Sequence, residues 1–255
     1  MIERDEDGVL HLVGLSGGDD STLMSLLLKE REPRPYNYVC TPTGNELPEM
    51  FAHWQWLGSD NALGKRIIPI MAGTLAGVIR KENMLPNFRA RFCTRKLKIE
   101  PYEAFLIEQA KIGPVVSYIG LRADEESREG GIYSRIDGVT SRFPLREWGY
   151  NDPMVLAELA ERGIKIPRRT DCAWCYHQRL GEWYLLWLEH RDVFFEGVEI
   201  EEGFGATFRT PGRDSYPSSM REMAEQFDAG RVPTISLNRM ARERMASGSC
   251  RACSL

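Results

Sequence analysis

No apolar run in the chain approaches the roughly 20 residues that a helix needs to cross a bilayer, which excludes a helical membrane span. The opening segment, Met1 to Asp7, is acidic and lacks the basic and apolar regions of a secretory leader, so a cytoplasmic protein is expected. There is no internal repeat and no low-complexity tract, which removes repeat arrays. Excess positive charge is missing too. A net charge of −4 argues against indiscriminate coating of nucleic acid, though not against local basic clusters. Cysteine is sparse, with six residues. In a reducing compartment those thiols read as metal ligands or reactive groups rather than disulfides. What remains is ordinary for a globular chain, 42% hydrophobic and 27% charged. Its length suits one large α/β domain with an appendage, divided here as 1–165 and 166–255.

The stretch Leu15 to Thr22, L-S-G-G-D-D-S-T, organises the rest. An apolar run (Val9, Leu10, Leu12, Val13) feeds a glycine turn, and S-T-L-M-S-L-L-L then reads as a helix. Such a corner gathers free backbone N–H groups and a positive helix end on one spot, which suits phosphate. Gly17 and Gly18 let the backbone close on an anion, and Ser16, Ser21 and Thr22 add hydroxyls. Asp19 or Asp20 is placed to hold Mg²⁺ against the phosphates. An ordinary strand–turn–helix corner would share this spacing. No G-K-[ST] follows the glycines, so the loop is not a Walker A loop. Ser16 to Ser21 resembles instead the S-G-G-x-D-S loop of the PP-loop ATP pyrophosphatases. That resemblance implies ATP, gripped by its β/γ-phosphates while the α-phosphate is attacked.

Further along, Tyr36–Cys40 reads as a second strand, Pro48–Trp56 as a helix, Arg66–Ile70 as a third strand and Val115–Ile119 as a fourth. Strands alternating with helices imply a parallel sheet whose ligands sit at the carboxyl ends of the strands. Thr43 to Glu49, T-G-N-E-L-P-E, resembles the segment after strand two in sulfonucleotide-reductase-like proteins, which puts Thr43 and Gly44 near the nucleotide. The segment 89–98 carries Arg89, Arg91, Arg95, Lys96 and Lys98, has no carboxylate, and contains Cys93. Its C-T-R-K-L-K-I-E-P resembles a basic segment of the PAPS reductase family, which implies phosphate or sulfate contacts for Arg95, Lys96 and Lys98. Pro101 is expected to open a helix through Gln109. G-L-R-A-D-E-E-S-R, from Gly120, resembles another signature of that family and makes Arg122 and Arg128 candidate anion clamps. Gly130-Gly131 suggests a lid. Phe143 to Trp148 resembles the family's P-L-x-x-W segment, and Asp152-Pro153 opens a helix through Arg162. Trp183 and Trp187 read as core, Glu199–Pro217 as loop, and Ser219–Ala229 as a helix.

Two C-x-x-C pairs, Cys172/Cys175 and Cys250/Cys253, can each bring two thiolates to one metal, and four thiolates would close a zinc site. Resemblance to cluster-bearing sulfonucleotide reductases implies another grouping, in which Cys93, Cys172 and Cys175 hold a 4Fe–4S cluster. The fourth ligand is then Cys250 or Cys253, or an iron left open to hold sulfide, as resemblance to cluster-dependent tRNA thiolases implies. Cys40 reads as an inert buried thiol.

The matches identify the chain as a member of the PAPS reductase-like branch of the PP-loop superfamily. The implied fold is a Rossmann-like doubly wound parallel sheet, adenine nucleotide alpha hydrolase-like, with a mainly helical, cysteine-bearing C-terminal extension. The tail lacks the reductases' E-C-G-x-H motif and the PP-loop is intact. Both departures favour ATP-driven chemistry, with Asp19, Asp20, Lys96 and Arg122 at the reacting phosphate and Ser16, Gly17, Gly18, Ser21, Thr22, Gly120 and Arg128 around the nucleotide. The expected activity is adenylylation of a substrate oxygen followed by sulfur transfer. The expected acceptor is a nucleic acid, tRNA or DNA, served by a sulfur donor or partner protein. Arg162, Arg168, Arg169, Arg239, Arg242, Arg244 and Arg251 are the expected nucleic-acid track. Sulfonucleotide (PAPS/APS) reduction and a zinc-stapled nucleotide-binding module of a modification or defence complex are the alternatives.

Overall fold

Side-chain alternation along the first strand sets the architecture. In the computed structural model, which describes residues 2–128 and 132–244, β1 (Leu10–Gly14) is the central strand. Leu10 and Leu12 point to one face and Val13, with Leu15 just beyond, to the other. A strand apolar on both faces needs cover on both, and the helices supply it.

The strands run parallel in the order β3-β2-β1-β4-β5, where β2 is Asn37–Cys40, β3 Ile68–Pro69, β4 Val115–Tyr118 and β5 Val139–Arg142. β1 pairs Leu12 with Asn37 and with Ser117. The strand order reverses at β1, so β1 and β4 diverge at their carboxyl ends and leave the crevice typical of doubly wound sheets. β3 is shorter than expected because Pro69 has no N–H to give to the ladder. β5 has no counterpart among the expected strands.

On one face, α1 (Asp19–Arg31) and, later in the chain, α7 (Asp152–Glu161) pack around Leu23, Leu27, Tyr38, Tyr118 and Val155. On the other lie Tyr102 and Leu106 of α5 (Glu100–Ala110). α2 (Pro48–Gly58) follows β2, α3 (Leu75–Glu82) follows β3, and the short α6 (Pro144–Glu147) follows β5. α5 begins earlier than Pro101 implies. It continues from α4 (Phe92–Thr94) through a π-helical turn, Arg95–Ile99. Pro101 offers no N–H to the turn before it, and the wider turn absorbs that loss. This rod turns Lys98 and Tyr102 one way and Arg95 and Ile99 another.

A third core joins α3 and α4 to the C-terminal helices α8 (Leu180–Glu189), α9 (Arg191–Phe204) and α10 (Met220–Asp228). Trp183 and Trp187 are buried in it, as their spacing predicts. The expected loop from Glu199 is corrected. α9 runs on to Phe204, burying Phe194, Val198 and Glu201 on one face, and stops at Gly205 with φ +57. α11 (Thr234–Arg244) packs on α8 where Gly181 makes room, since a Cβ there would lie 2.6 Å from the Met240 sulfur. No described helix is long and apolar enough to cross a membrane.

Candidate active site

The glycine loop lands where its sequence predicts, between the carboxyl end of β1 and the first turn of α1. Gly18 caps α1 and has no side chain to bond back to the first turn. The first N–H groups of a helix have no acceptor within the helix, so this end of α1 presents backbone donors. Gly17 sits at φ +88, and a Cβ on it would come within 2.1 Å of the Met50 methyl and 2.9 Å of Trp54 Nε1. A side chain there would be strained by the backbone and would have to displace Met50 and Trp54. Ser21 Oγ accepts from Gly17 N (3.1 Å), donates to the Gly18 carbonyl (3.2 Å) and stands 3.0 Å from Ser16 Oγ, so the serines brace the loop. Gly120, just beyond β4, lets that chain pass α1. A Cβ would stand 3.2 Å from Ser21 N and 3.3 Å from the Asp20 carbonyl carbon, both backbone atoms.

The loop apart from Gly17, together with Gly120, lines a cavity of about 190 Å³. Ser16, Gly18, Asp19, Asp20, Ser21, Lys98, Gly120 and Arg128 share its wall with Cys40, Glu46, Trp54, Tyr102, Tyr133 and Thr170. The first eight of these are residues that the sequence singles out, and the structure brings them to one wall. Trp54 closes one side, donating from Nε1 to the Ser16 carbonyl at 3.1 Å.

Arg122 has a different place from the one expected. It is 7% exposed, does not line the cavity, and reaches Asp20 at 2.7 Å, Asp124 at 3.0 Å and Asp152 at 3.5 Å. It is a buried anchor behind the loop and not an open anion clamp. Asp20 uses Oδ2 for Arg122, while its buried Oδ1 has no hydrogen-bond partner. Burial pushes the Asp20 carboxyl up to about 6, against the pull of Arg122 and with Glu125 and Asp19 adding to the rise.

Four other expectations are corrected. Thr22 is fully buried, with its hydroxyl 3.3 Å from His53 Nε2, so it braces α1 against α2. Lys96 is ion-paired with Glu82, and Arg95 stands 3.6 Å from Glu100; neither lines the cavity. The π-helical turn divides a basic run that reads as one cluster. Thr43 donates N–H and O–H to Glu46 Oε1, both at 2.7 Å, and Gly44 at φ +67 packs against Thr74; neither lines the cavity. In the arginine track, Arg162 pairs with Glu30 and Glu158, Arg168 with Glu189 and Arg169 with Glu182, so their charges are spent on fold contacts. Arg251, Cys250, Cys253 and Gly130-Gly131 lie outside the described residues, as do the side chains of Arg242 and Arg244.

His53 and Asn45 went unrecognised in the sequence. Burial brings His53 down to about 4, so it is neutral beneath the loop at neutral pH. Asn45 accepts from Ala173 N with its carbonyl (2.7 Å) and from Trp174 N with Oδ1 (3.0 Å), which clamps the Cys172–Cys175 turn to the turn after β2. Arg169 adds two bonds to the Cys172 carbonyl, at 3.1 and 2.7 Å. An Asx side chain reaching across a chain separation this long leaves no local signal.

Cys40, Cys93, Cys172 and Cys175 are free thiols. Cys93 and Cys172 pack against the same core, both feel Lys98, and Tyr176 feels both Cys93 and Cys175. Cys172 Sγ lies 3.1 Å from Thr43 Oγ1. Among the described residues no three Cys, His, Asp or Glu side chains are grouped to hold a metal ion. The donors suit a thiolate-held metal in kind and in neighbourhood, but a closed coordination site is not formed among them.

No protein-family model and no curated protein matches the chain. Among solved structures it is similar to phosphoadenylyl-sulfate (PAPS) reductase from Candida auris, in a phosphate complex. That likeness has 14% identity and a TM-score of 0.43, and it covers 61% of this chain and 74% of the other. The chain is also similar to the U34-tRNA thiolase NcsA from Methanococcus maripaludis, with its [4Fe-4S] cluster, at 17% identity and a TM-score of 0.45 over 98% of this chain and 83% of the other.

Proposed function

We propose that this chain is a PP-loop enzyme of the PAPS reductase-like kind that binds MgATP in the cavity at Ser16–Ser21 and adenylylates an oxygen of its substrate. The observation carrying this reading is the S-G-G-D-D-S loop itself, held open at the first turn of α1 by Gly17 and Gly120 and facing a cavity that Lys98, Trp54 and Tyr102 also line. The α1 N–H groups and Lys98 take the phosphates, and Asp19 or Asp20 takes Mg²⁺. A substrate oxygen attacks the α-phosphorus, the bond to the bridging oxygen breaks, and pyrophosphate leaves. Positioning and charge neutralisation suffice for this step.

Sulfur transfer follows in this reading. A hydrosulfide equivalent attacks the carbon bearing the adenylylated oxygen, and AMP leaves with that oxygen. Cys93, Cys172 and Cys175, with Cys250, are the residues that would hold a 4Fe–4S cluster, zinc being the alternative. A bound cluster supplies storage and delivery of sulfide. A nucleic acid, tRNA or DNA, is the proposed acceptor, and the cytoplasm the proposed location.

The test is incubation of anaerobically purified protein with ATP labelled at the α-phosphate, Mg²⁺, sulfide and bulk tRNA. AMP and pyrophosphate support the reading. ADP and phosphate overturn it, and sulfite formed from PAPS would replace it with sulfonucleotide reduction.

A further inference from the structure

Glu46 is a carboxylate on the cavity wall that the phosphate chemistry does not use. It lies just beyond β2, beside Val39, Cys40 and Thr41, whereas the phosphate loop lies beyond β1. Two hydrogen bonds from Thr43 fix Oε1. Oε2 is buried and has no hydrogen-bond partner. A carboxylate on a cavity wall, with one oxygen tied down and the other buried without a partner, leaves an acceptor to be satisfied. In dinucleotide-binding doubly wound sheets a carboxylate beyond the second strand takes the ribose hydroxyls of a nucleotide whose phosphates lie on the first helix, and Glu46 has the corresponding place in the chain.

We propose that Glu46 Oε2 accepts a hydrogen bond from a ribose hydroxyl of the bound nucleotide, and that its charge excludes nucleotides phosphorylated on the ribose. The cations lining the cavity among the described residues are Lys98 and Arg128, and neither bonds to Glu46 Oε2. Arg128 is ion-paired with Glu125. A ribose phosphate set against Glu46 would therefore meet like charge without an arginine to offset it. This inference rests on the nucleotide reading and narrows it to nucleotides with an unmodified ribose.

The test is calorimetric titration of the full chain with four probes: ATP, 3′-deoxy-ATP, AMP and adenosine 3′,5′-bisphosphate. Wild type is expected to favour AMP over the bisphosphate by at least about tenfold and ATP over 3′-deoxy-ATP by about tenfold, the range for a hydrogen bond to a charged group. Glu46→Gln keeps an acceptor for Thr43 and removes the charge. It should bring the AMP preference to within about twofold while ATP still binds. An unchanged preference in Glu46→Gln overturns the proposal, as does wild-type protein that binds the bisphosphate as tightly as AMP; in both cases the nucleotide reading stands. Failure of wild type to bind any of the four removes the nucleotide reading and this inference with it.

Discussion

Arg122→Met tests the buried anchor behind the glycine loop. The guanidinium is the shared partner of Asp20 at 2.7 Å, Asp124 at 3.0 Å, Asp152 at 3.5 Å and Glu125 at 4.0 Å. Its removal leaves a carboxylate buried under the loop without a cation. Breaking a buried pair by deleting one member costs about 3–5 kcal/mol, which for a chain of this size lowers Tm by on the order of 10 °C. The cost depends on pH in a fixed direction. Asp20 already titrates at about 6 in the folded protein, above its ordinary 3.8. Its contribution to stability is therefore full below about pH 4 and is lost as pH rises through 6. Without Arg122 the rise grows, because the downward pull on Asp20 comes from that residue. The deficit of Arg122→Met should thus be large at pH 7.5 and should shrink at pH 5, and adding Asp20→Asn should recover much of it. Urea unfolding of the four proteins of this double-mutant cycle, at both pH values, measures all three effects. A deficit under about 1 kcal/mol, or one equal at both pH values with additive single variants, would refute the reasoning.

Lys98→Ala should lower AMP formation from ATP about a hundredfold, the scale for losing one positioned charge stabiliser, while Lys96→Ala should stay within about threefold of wild type in the same steady-state assay. Asn45→Ala leaves the Trp174 amide without its partner, so guanidinium denaturation should show a loss of about 1–3 kcal/mol. Metal content should fall in the same variant if the Cys172–Cys175 turn holds metal. Glu201 is raised to about 7 by burial, against bonds from Met220 N and Phe208 N. Its contribution to stability is complete below about pH 4.5 and disappears as pH rises through 7, so Glu201→Gln should flatten the pH dependence of Tm between 5 and 8.

The strand–glycine–helix corner was legible because its signal is local. A strand, two glycines and a helix start lie within a few residues, and each chemical demand falls on a residue type that shows it. Strands β1, β2 and β4 were legible for the same reason, through apolar runs ended by turn residues. β5 was not: Val139-Thr140-Ser141-Arg142 has one buried apolar side chain and owes its pairing to β4 beside it. α9 hid behind its carboxylates, since only its inward face is apolar and Glu201 interrupts even that. In the site, Lys98 separated from Lys96 only once the π-helical turn set which residues share a face. Arg122 shows the limit most plainly. An arginine in a glycine-rich signature suits an anion, and nothing local says that Asp20, distant in sequence, already supplies one.

The most direct measurement for the central claim is a MgATP titration of the wild-type chain beside Gly17→Ala and Gly120→Ala. Gly17→Ala forces a Cβ into Met50 and Trp54 at a positive φ, and Gly120→Ala presses on the backbone of Asp20 and Ser21. Saturable one-to-one binding by wild type, weakened at least tenfold in both variants while their far-ultraviolet circular dichroism matches wild type, is the expected result. Wild-type protein that shows no binding at millimolar MgATP, or variants that bind as tightly as wild type, would contradict a nucleotide site at Ser16–Ser21.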